Sequence, residues 1–324
     1  MKKILVLHTG GTIAMQENEE TGGVTTGDSN PVQQWNTLVS EDYDIVSDDF
    51  LQLPSPHITP SHMLKLFHHM NERLQDTKAE GVVITHGTDT LEETAYLLDL
   101  LHTMELPVVL TGAMRSSDEV GSDGPHNFIT AVRTAASEKA KGMGVLIVMN
   151  DEIHTAKNAT KTHASNVATF QSPQYGPIGL ITKREIFFHH QPLQREHFHA
   201  EKMDKKVLLI KTYAGLEGDV FQHLISQPLD GVVIEALGQG NVPPALMEPV
   251  QSLIDHRIPV VLVTRCFSGV VQDIYSYQGG GRTLKEAGVI FTNGLNGPKA
   301  RLKLMAALEN HLSRETLRKC FERF

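Results

Sequence analysis

The chain has 324 residues, 40 % of them apolar and 21 % charged, the balance of an ordinary globular protein, and its length exceeds what one core usually holds, so two domains are expected. Its 38 acidic residues outnumber 29 basic ones, for a net charge of −9; this argues against a nucleic-acid surface, which needs clustered Lys and Arg to neutralise phosphates. Two distant cysteines, Cys266 and Cys320, give neither a disulfide framework nor a C-x-x-C metal spacing, and no apolar stretch reaches membrane-spanning length.

The first predicted element follows Met1-Lys2-Lys3. Ile4 to Leu7 is too short for the apolar core of a signal peptide and no small-residue cleavage site follows it, so it reads as a buried strand and a cytoplasmic location is expected. Three more short runs repeat the pattern: Val82 to Ile84, Val108 to Leu110 and Val145 to Val148. Continuously apolar runs of this length suit strands buried on both faces, as in parallel sheets. Between them, Leu91, Tyr96, Leu97 and Leu98, then Ile129, Val132 and Ala136, fall at helical spacing. Residues 187–206 are polar and unperiodic and read as a linker. The alternation then resumes at Val207 to Ile210, Val232 to Ile234, Val260 to Val263 and Val289 to Phe291, and the stretch from Ala300 reads as two helices broken near Ser313. The expected fold is therefore α/β: a larger N-terminal parallel-sheet domain over residues 1–186, the linker, and a smaller C-terminal α/β domain over 207–324.

In open α/β sheets the chemistry collects on loops at the carboxyl ends of strands. The loop after the first strand reads Thr9-Gly10-Gly11-Thr12, where glycines permit a sharp turn and close approach to a ligand; by loop statistics alone it is a tight turn with a capping threonine. It is neither a phosphate loop nor a dinucleotide fingerprint. The loop after the second run reads Thr85-His86-Gly87-Thr88-Asp89-Thr90. Thr90 and Glu93 have capping-box spacing, so the Thr90 side chain is expected to cap the next helix. One cap does not account for Thr88 and Asp89 as well. A third segment, Asn158 to Phe170, contains Lys161, which by composition alone would be a solvated lysine. His68-His69, His189-His190, His197 and His199 lack any metal-ligand spacing, so neither a metal nor another cofactor is expected.

These segments, taken together, resemble the bacterial L-asparaginase (asparaginase/glutaminase) family. The matching stretches are Thr9 to Ala14, Thr85 to Glu93, Gly112-Ala113-Met114-Arg115, Ser122 to Pro125 with Asn127, and Lys161-Thr162 with Ala168-Thr169-Phe170. Tyr175 to Gly179 and Gly238-Gln239-Gly240-Asn241 match as well, so the resemblance spans both expected domains. It implies hydrolysis of the side-chain amide of L-asparagine, with L-glutamine the alternative substrate; the two differ by one methylene, worth only ~1–3 kcal/mol of discrimination. It implies Thr12 as nucleophile, Thr88, Asp89 and Lys161 as the neighbouring triad, Ser55 as the group holding the substrate α-carboxylate, and Asp89 as partner of the α-ammonium. Backbone N–H groups beside Gly11 and Thr88 suit a developing oxyanion. A threonine hydroxyl needs a base or strong polarisation to attack, and charge pairing with Asp89 favours Lys161 as a polarising cation over a neutral base.

The resemblance also sets expectations outside that cluster. A lid is expected at Gly23, Thr25 and Thr26. The family's lid carries a tyrosine, whereas here no tyrosine precedes Tyr43, which leaves Thr25 or Thr26 as its stand-in. Cys266 matches in position a cysteine of an allosteric asparagine site, though by residue chemistry a free cysteine is expected to be a small buried apolar group. A homodimer or homotetramer is implied. The related amidase subunit of tRNA-dependent amidation carries a domain ahead of the first motif, which begins here at residue 9. A catalytically silent amino-acid sensor on the same scaffold is the rival of a different class.

Overall fold

The computed structural model describes residues 1–17, 24–26, 31–219, 221 and 227–322. They form two compact units, Met1–His197 and Phe198–Phe324. The first contains β1 (Lys2–His8), β2 (Met15–Glu17), β3 (Val24–Thr26), α1 (Val32–Trp35), β4 (Tyr43–Asp49), α2 (Pro60–Thr77), β5 (Gly81–Thr85), α3 (Leu91–Leu101), β6 (Val108–Thr111), α4 (Gly124–Ala135), β7 (Val145–Met149), β8 (Glu152–Thr155), β9 (Thr160–Lys161), β10 (Phe170–Gln171), β11 (Gly179–Ile181) and β12 (Ile186–Phe188).

Eight of these strands build one sheet in the order β12-β11-β8-β7-β6-β5-β1-β4. The stretch from β4 to β7 is parallel, and β8, β11 and β12 extend it antiparallel. The apolar runs explain the parallel part, because successive side chains of a strand point to opposite faces. Ile4, Val6, Val83, Val109, Leu146 and Val148 pack on one face with Phe128, Ala131 and Val132 of α4. Leu5, Leu7, Val82, Ile84, Leu110 and Ile147 pack on the other with Leu66, Met70 and Leu74 of α2 and Leu91, Ala95 and Leu98 of α3.

The sheet is wider than its apolar runs. Strand β4 reads Tyr-Asp-Ile-Val-Ser-Asp-Asp and is half-exposed; acidic residues are tolerated on an edge strand and keep other chains from pairing with it. Asn150 and Asp151, with φ of 51° and 62°, sit between the paired Met149 and Glu152. Two consecutive left-handed residues make a two-residue hairpin turn, which reverses the chain into β8. Phe187 and Phe188, inside the expected linker, belong to β12 and pair with β11.

The second unit contains β13 (Val207–Lys211), β14 (Gly231–Ala236), α5 (Met247–Asp255), β15 (Val260–Thr264), α6 (Gly281–Ala287), β16 (Ile290–Phe291), α7 (Gly297–Glu309) and α8 (Arg314–Glu322). Its four strands run parallel in sequence order over a core that includes Phe221, Val232, Ile234, Leu246, Leu253 and Leu262. The two terminal helices separate where expected. Ser313 accepts a hydrogen bond from the Thr316 N–H at the start of α8. No described helix is long and apolar enough to cross a membrane.

The order of the first sheet fixes where its loops can hold a ligand. From β1 the chain leaves toward β4 on one side, and from β5 it leaves toward β6 on the other. The carboxyl ends of β1 and β5 are therefore a topological switch point, the place where open α/β sheets bind ligands. Thr12 follows β1, and Thr88 and Asp89 follow β5.

Candidate active site

The two loops are held together by glycines. Gly10 and Gly11 have φ of 94° and 84°, a region in which residues with a Cβ are strained. A Cβ on Gly11 would lie 2.2 Å from Gly87 Cα, and one on Gly87 would lie 2.7 Å from Ser55 Cβ. The first two loops thus meet backbone to backbone, and the Ser55 side chain packs directly on Gly87. Thr9 secures the first by donating its N–H (3.1 Å) and hydroxyl (3.0 Å) to Thr85 O. Thr12 opens a single 3₁₀ turn in which Ile13 and Ala14 are buried; they anchor the turn in the core on the α4 face and leave Thr12 half-buried.

Lys161 arrives on β9. Its Nζ donates to Thr88 Oγ1 at 3.0 Å and to Asp89 Oδ1 at 2.7 Å. Thr88 is 5 % exposed, and the Lys161 and Asp89 side chains are 17 % and 58 % exposed. Lys161 is therefore not the solvated lysine that composition suggests. Asp89, by contrast, presents a carboxylate to incoming solutes. Ser55 is 4 % exposed and accepts the Asp89 N–H at 3.2 Å, so its own hydroxyl proton remains available for donation. Thr90 stands at the start of α3 but makes no side-chain cap. Its hydroxyl donates instead to Ser55 O at 2.8 Å. The capping-box expectation is corrected: the hydroxyl ties the Ser55 segment to the Thr88-Asp89 turn.

Beneath this layer His86 is buried, and burial pushes its pKa from 6.5 down to about 4, against a smaller upward pull from the Gly87 carbonyl. A neutral imidazole facing a carbonyl must carry its proton there. Nδ1 therefore donates to Gly87 O (2.8 Å), and Nε2 accepts the Thr94 hydroxyl (2.9 Å). His8, at the end of β1, is also pushed to about 4 by burial, opposed by Asp49 and Asp48. It joins Thr85 to Ser47 through its two nitrogens.

The matched Gly112 to Arg115 and Asp123 to Asn127 segments form a loop brace. Asp123 accepts the N–H groups of Met114 and Arg115, while Asn127 donates to Gly112 O and accepts from Asn150 N. The residue that sequence reasoning missed is Glu92. Its Oε1 accepts the Lys161 N–H (3.2 Å) and the Thr160 hydroxyl (2.9 Å). A glutamate in the first turn of a helix looks like an ordinary dipole partner, so no sequence signal distinguishes it.

Gly23 is outside the described residues. Thr25 and Thr26 belong to β3, which pairs with β2 as a two-stranded ribbon in which Met15 faces Thr26 and Gln16 faces Thr25. Cys266 is in the second unit, where it is exposed, not the buried apolar group expected of a free cysteine; it follows β15 in a turn whose last strand residue, Thr264, accepts the Cys266 N–H. Among the described residues no group of three or more His, Cys, Asp or Glu side chains could hold a metal ion.

Known proteins share this arrangement of strands and loops. Residues 3–194 match the model of the asparaginase N-terminal domain, and residues 206–321 that of the glutaminase/asparaginase C-terminal domain. The chain is 39 % identical to a probable L-asparaginase of Deinococcus radiodurans over 99 % of its length and 97 % of that protein's. It is 34 % identical to an L-asparaginase of Bacillus licheniformis over 96 % of each. The crystal structure of a probable cytoplasmic L-asparaginase from Campylobacter jejuni superimposes on it with a TM-score of 0.88 at 30 % identity, covering the whole of both chains. With both halves matched in one continuous chain, the protein belongs to the asparaginase family of amidohydrolases.

Proposed function

We propose that this chain hydrolyses the side-chain amide of L-asparagine to L-aspartate and ammonia, with Thr12 as the nucleophile. The observation that carries this reading is the Lys161 ammonium donating at once to the buried Thr88 hydroxyl and to the Asp89 carboxylate, next to the glycine contact that brings the Thr12 loop against the Thr88 loop. Such a group supplies a polarised hydroxyl and a fixed negative charge at one spot, and a zwitterionic amide needs both.

In this reading Asp89 receives the α-ammonium and Ser55 donates to the α-carboxylate. Thr12 Oγ1 attacks the amide carbon, forming a C–O bond while the carbonyl oxygen gathers negative charge. Backbone N–H groups beside Gly11 and Thr88 stabilise that charge. The C–N bond breaks as the proton given up by the Thr12 hydroxyl passes to the leaving nitrogen, ammonia departs, and an ester to Thr12 remains. Water attacks the ester and returns the proton to Thr12. Lys161 keeps its proton and polarises Thr88, which relays the effect to the attacking oxygen. The lid at Gly23, Thr25 and Thr26, an allosteric role for Cys266, a cytoplasmic location and a homodimer or homotetramer complete the reading.

Purified protein is expected to release aspartate and ammonia from L-asparagine in equal amounts, with kcat/KM higher for asparagine than for glutamine. Binding of asparagine without ammonia release would sink the catalytic reading and leave an amino-acid sensor.

A further inference from the structure

Lys161 stands on a two-stranded hairpin, β9 with β10, and so short a hairpin does not hold its own position in water. Two carboxylates brace it, one through His154 and one directly. Glu152 (β8) meets His154 Nε2 at 3.2 Å, and His154 Nδ1 meets Ser172 Oγ at 2.9 Å, directly after β10. From α3, Glu92 Oε1 takes both the Lys161 N–H and the Thr160 hydroxyl.

We infer that Glu92 is a positioning residue, whose carboxylate locks the Lys161 backbone to the helix start that also carries Thr88 and Asp89. This rests on the role given to Lys161 under the proposed function. Glu92 lies three residues beyond Asp89, on the first turn of α3. One side chain therefore ties the hairpin to the very turn that its lysine must reach. Helix-dipole compensation does not require this geometry, and Glu93 supplies it in the same turn. Glu92 acts through Lys161: with the Lys161 N–H fixed, the Nζ reaches Thr88 and Asp89 together, and a shift of ~1 Å at such a point is worth up to about 10²-fold in rate.

The two bonds need a carbonyl-type oxygen with two lone pairs, which glutamine also offers. Glu92→Gln thus keeps the geometry and removes the charge, while Glu92→Ala removes both. The test measures, on the full chain, kcat and KM for ammonia release from asparagine together with hydrogen exchange at the Lys161 amide. Glu92→Ala is expected to lower kcat about 10-fold with KM nearly unchanged and to speed Lys161 exchange by about 10-fold, whereas Glu92→Gln stays within about 3-fold on every readout. A fall under about 3-fold for Glu92→Ala, or an equal loss in Glu92→Gln, overturns the inference. Should Glu92→Ala fold poorly, Thr160→Val removes one of the two donors while keeping the carboxylate. Faster Lys161 exchange in that variant supports the inference, and unchanged exchange overturns it. If the wild-type protein releases no ammonia, the functional reading fails on its own; unchanged Lys161 exchange in folded Glu92→Ala contradicts the brace whatever the activity.

Discussion

Gly11 and Gly87 set the tolerance of the site. With Gly11 at φ 84° and any Cβ landing 2.2 Å from Gly87 Cα, Gly11→Ala must move one loop. It is expected to cost about 2–5 kcal/mol of stability by combined strain and overlap, read as a lower denaturation midpoint, and to abolish activity with it. Lys161 separates two roles. Lys161→Met is expected to lower kcat by about 10²–10⁴-fold. An active Lys161→Arg with an unshifted pH–rate profile would fit the polarising cation and contradict a neutral base. The grouping of Thr88, Asp89 and Lys161 was legible in the sequence because short motifs carry these residues. The hydroxyl of Thr90 was not, since capping-box spacing does not say whether it turns to its own helix or, as here, to Ser55 O. Glu92 was equally silent, because its partners are 68 and 69 residues away along the chain.

Elements were legible where burial fixes the pattern. The runs that became β1, β5, β6 and β7 are three or four apolar residues long and buried on both faces, as strands inside a parallel sheet are. Strand β4 escaped notice because an edge strand keeps Asp44, Asp48 and Asp49 and shows no apolar run. Strand β8 escaped because Glu152 and His154 interrupt its apolar pattern, β11 because it is only the three residues Gly179–Ile181, and β12 because its apolar triplet Ile186–Phe188 runs into the presumed linker. The terminal helix α8 was read correctly, but its fastening was not. Lys303 of α7 is buried, donates to Cys320 O at 2.6 Å and lies 4.9 Å from the Phe321 ring centroid. Cys320 belongs to the last turn of α8, where carbonyls lack helical partners and favour a cation. Lys303→Met keeps the apolar stem and removes the donor, so it is expected to cost about 1–3 kcal/mol. Faster proteolysis between α7 and α8 would show it; unchanged cleavage would mean that packing alone seats the helix.

The whole molecule carries a pH dependence that the individual sites add up to. His8, His86 and His102 are each pushed from 6.5 to about 4, chiefly by burial. Between those values the unfolded chain binds protons that the folded chain refuses, so stability is complete above pH 6.5 and is lost as pH falls toward 4. Unfolding near pH 5 is expected to take up about two to three protons from these groups, seen as a denaturant midpoint that drops between pH 7 and pH 5. A midpoint flat across that range would contradict neutral, buried histidines. The same burial that makes them neutral makes them rigid, and His8 and His86 lie directly under the two threonine loops. In the proposed reaction this buried layer supports the loop that carries Thr12 as nucleophile. Ammonia release from saturating L-asparagine by wild-type and Thr12→Ala protein tests it most directly. Loss of at least about 10³-fold in kcat with fold and asparagine binding retained is the expected result, and a Thr12→Ala protein that releases ammonia at the wild-type rate would contradict it.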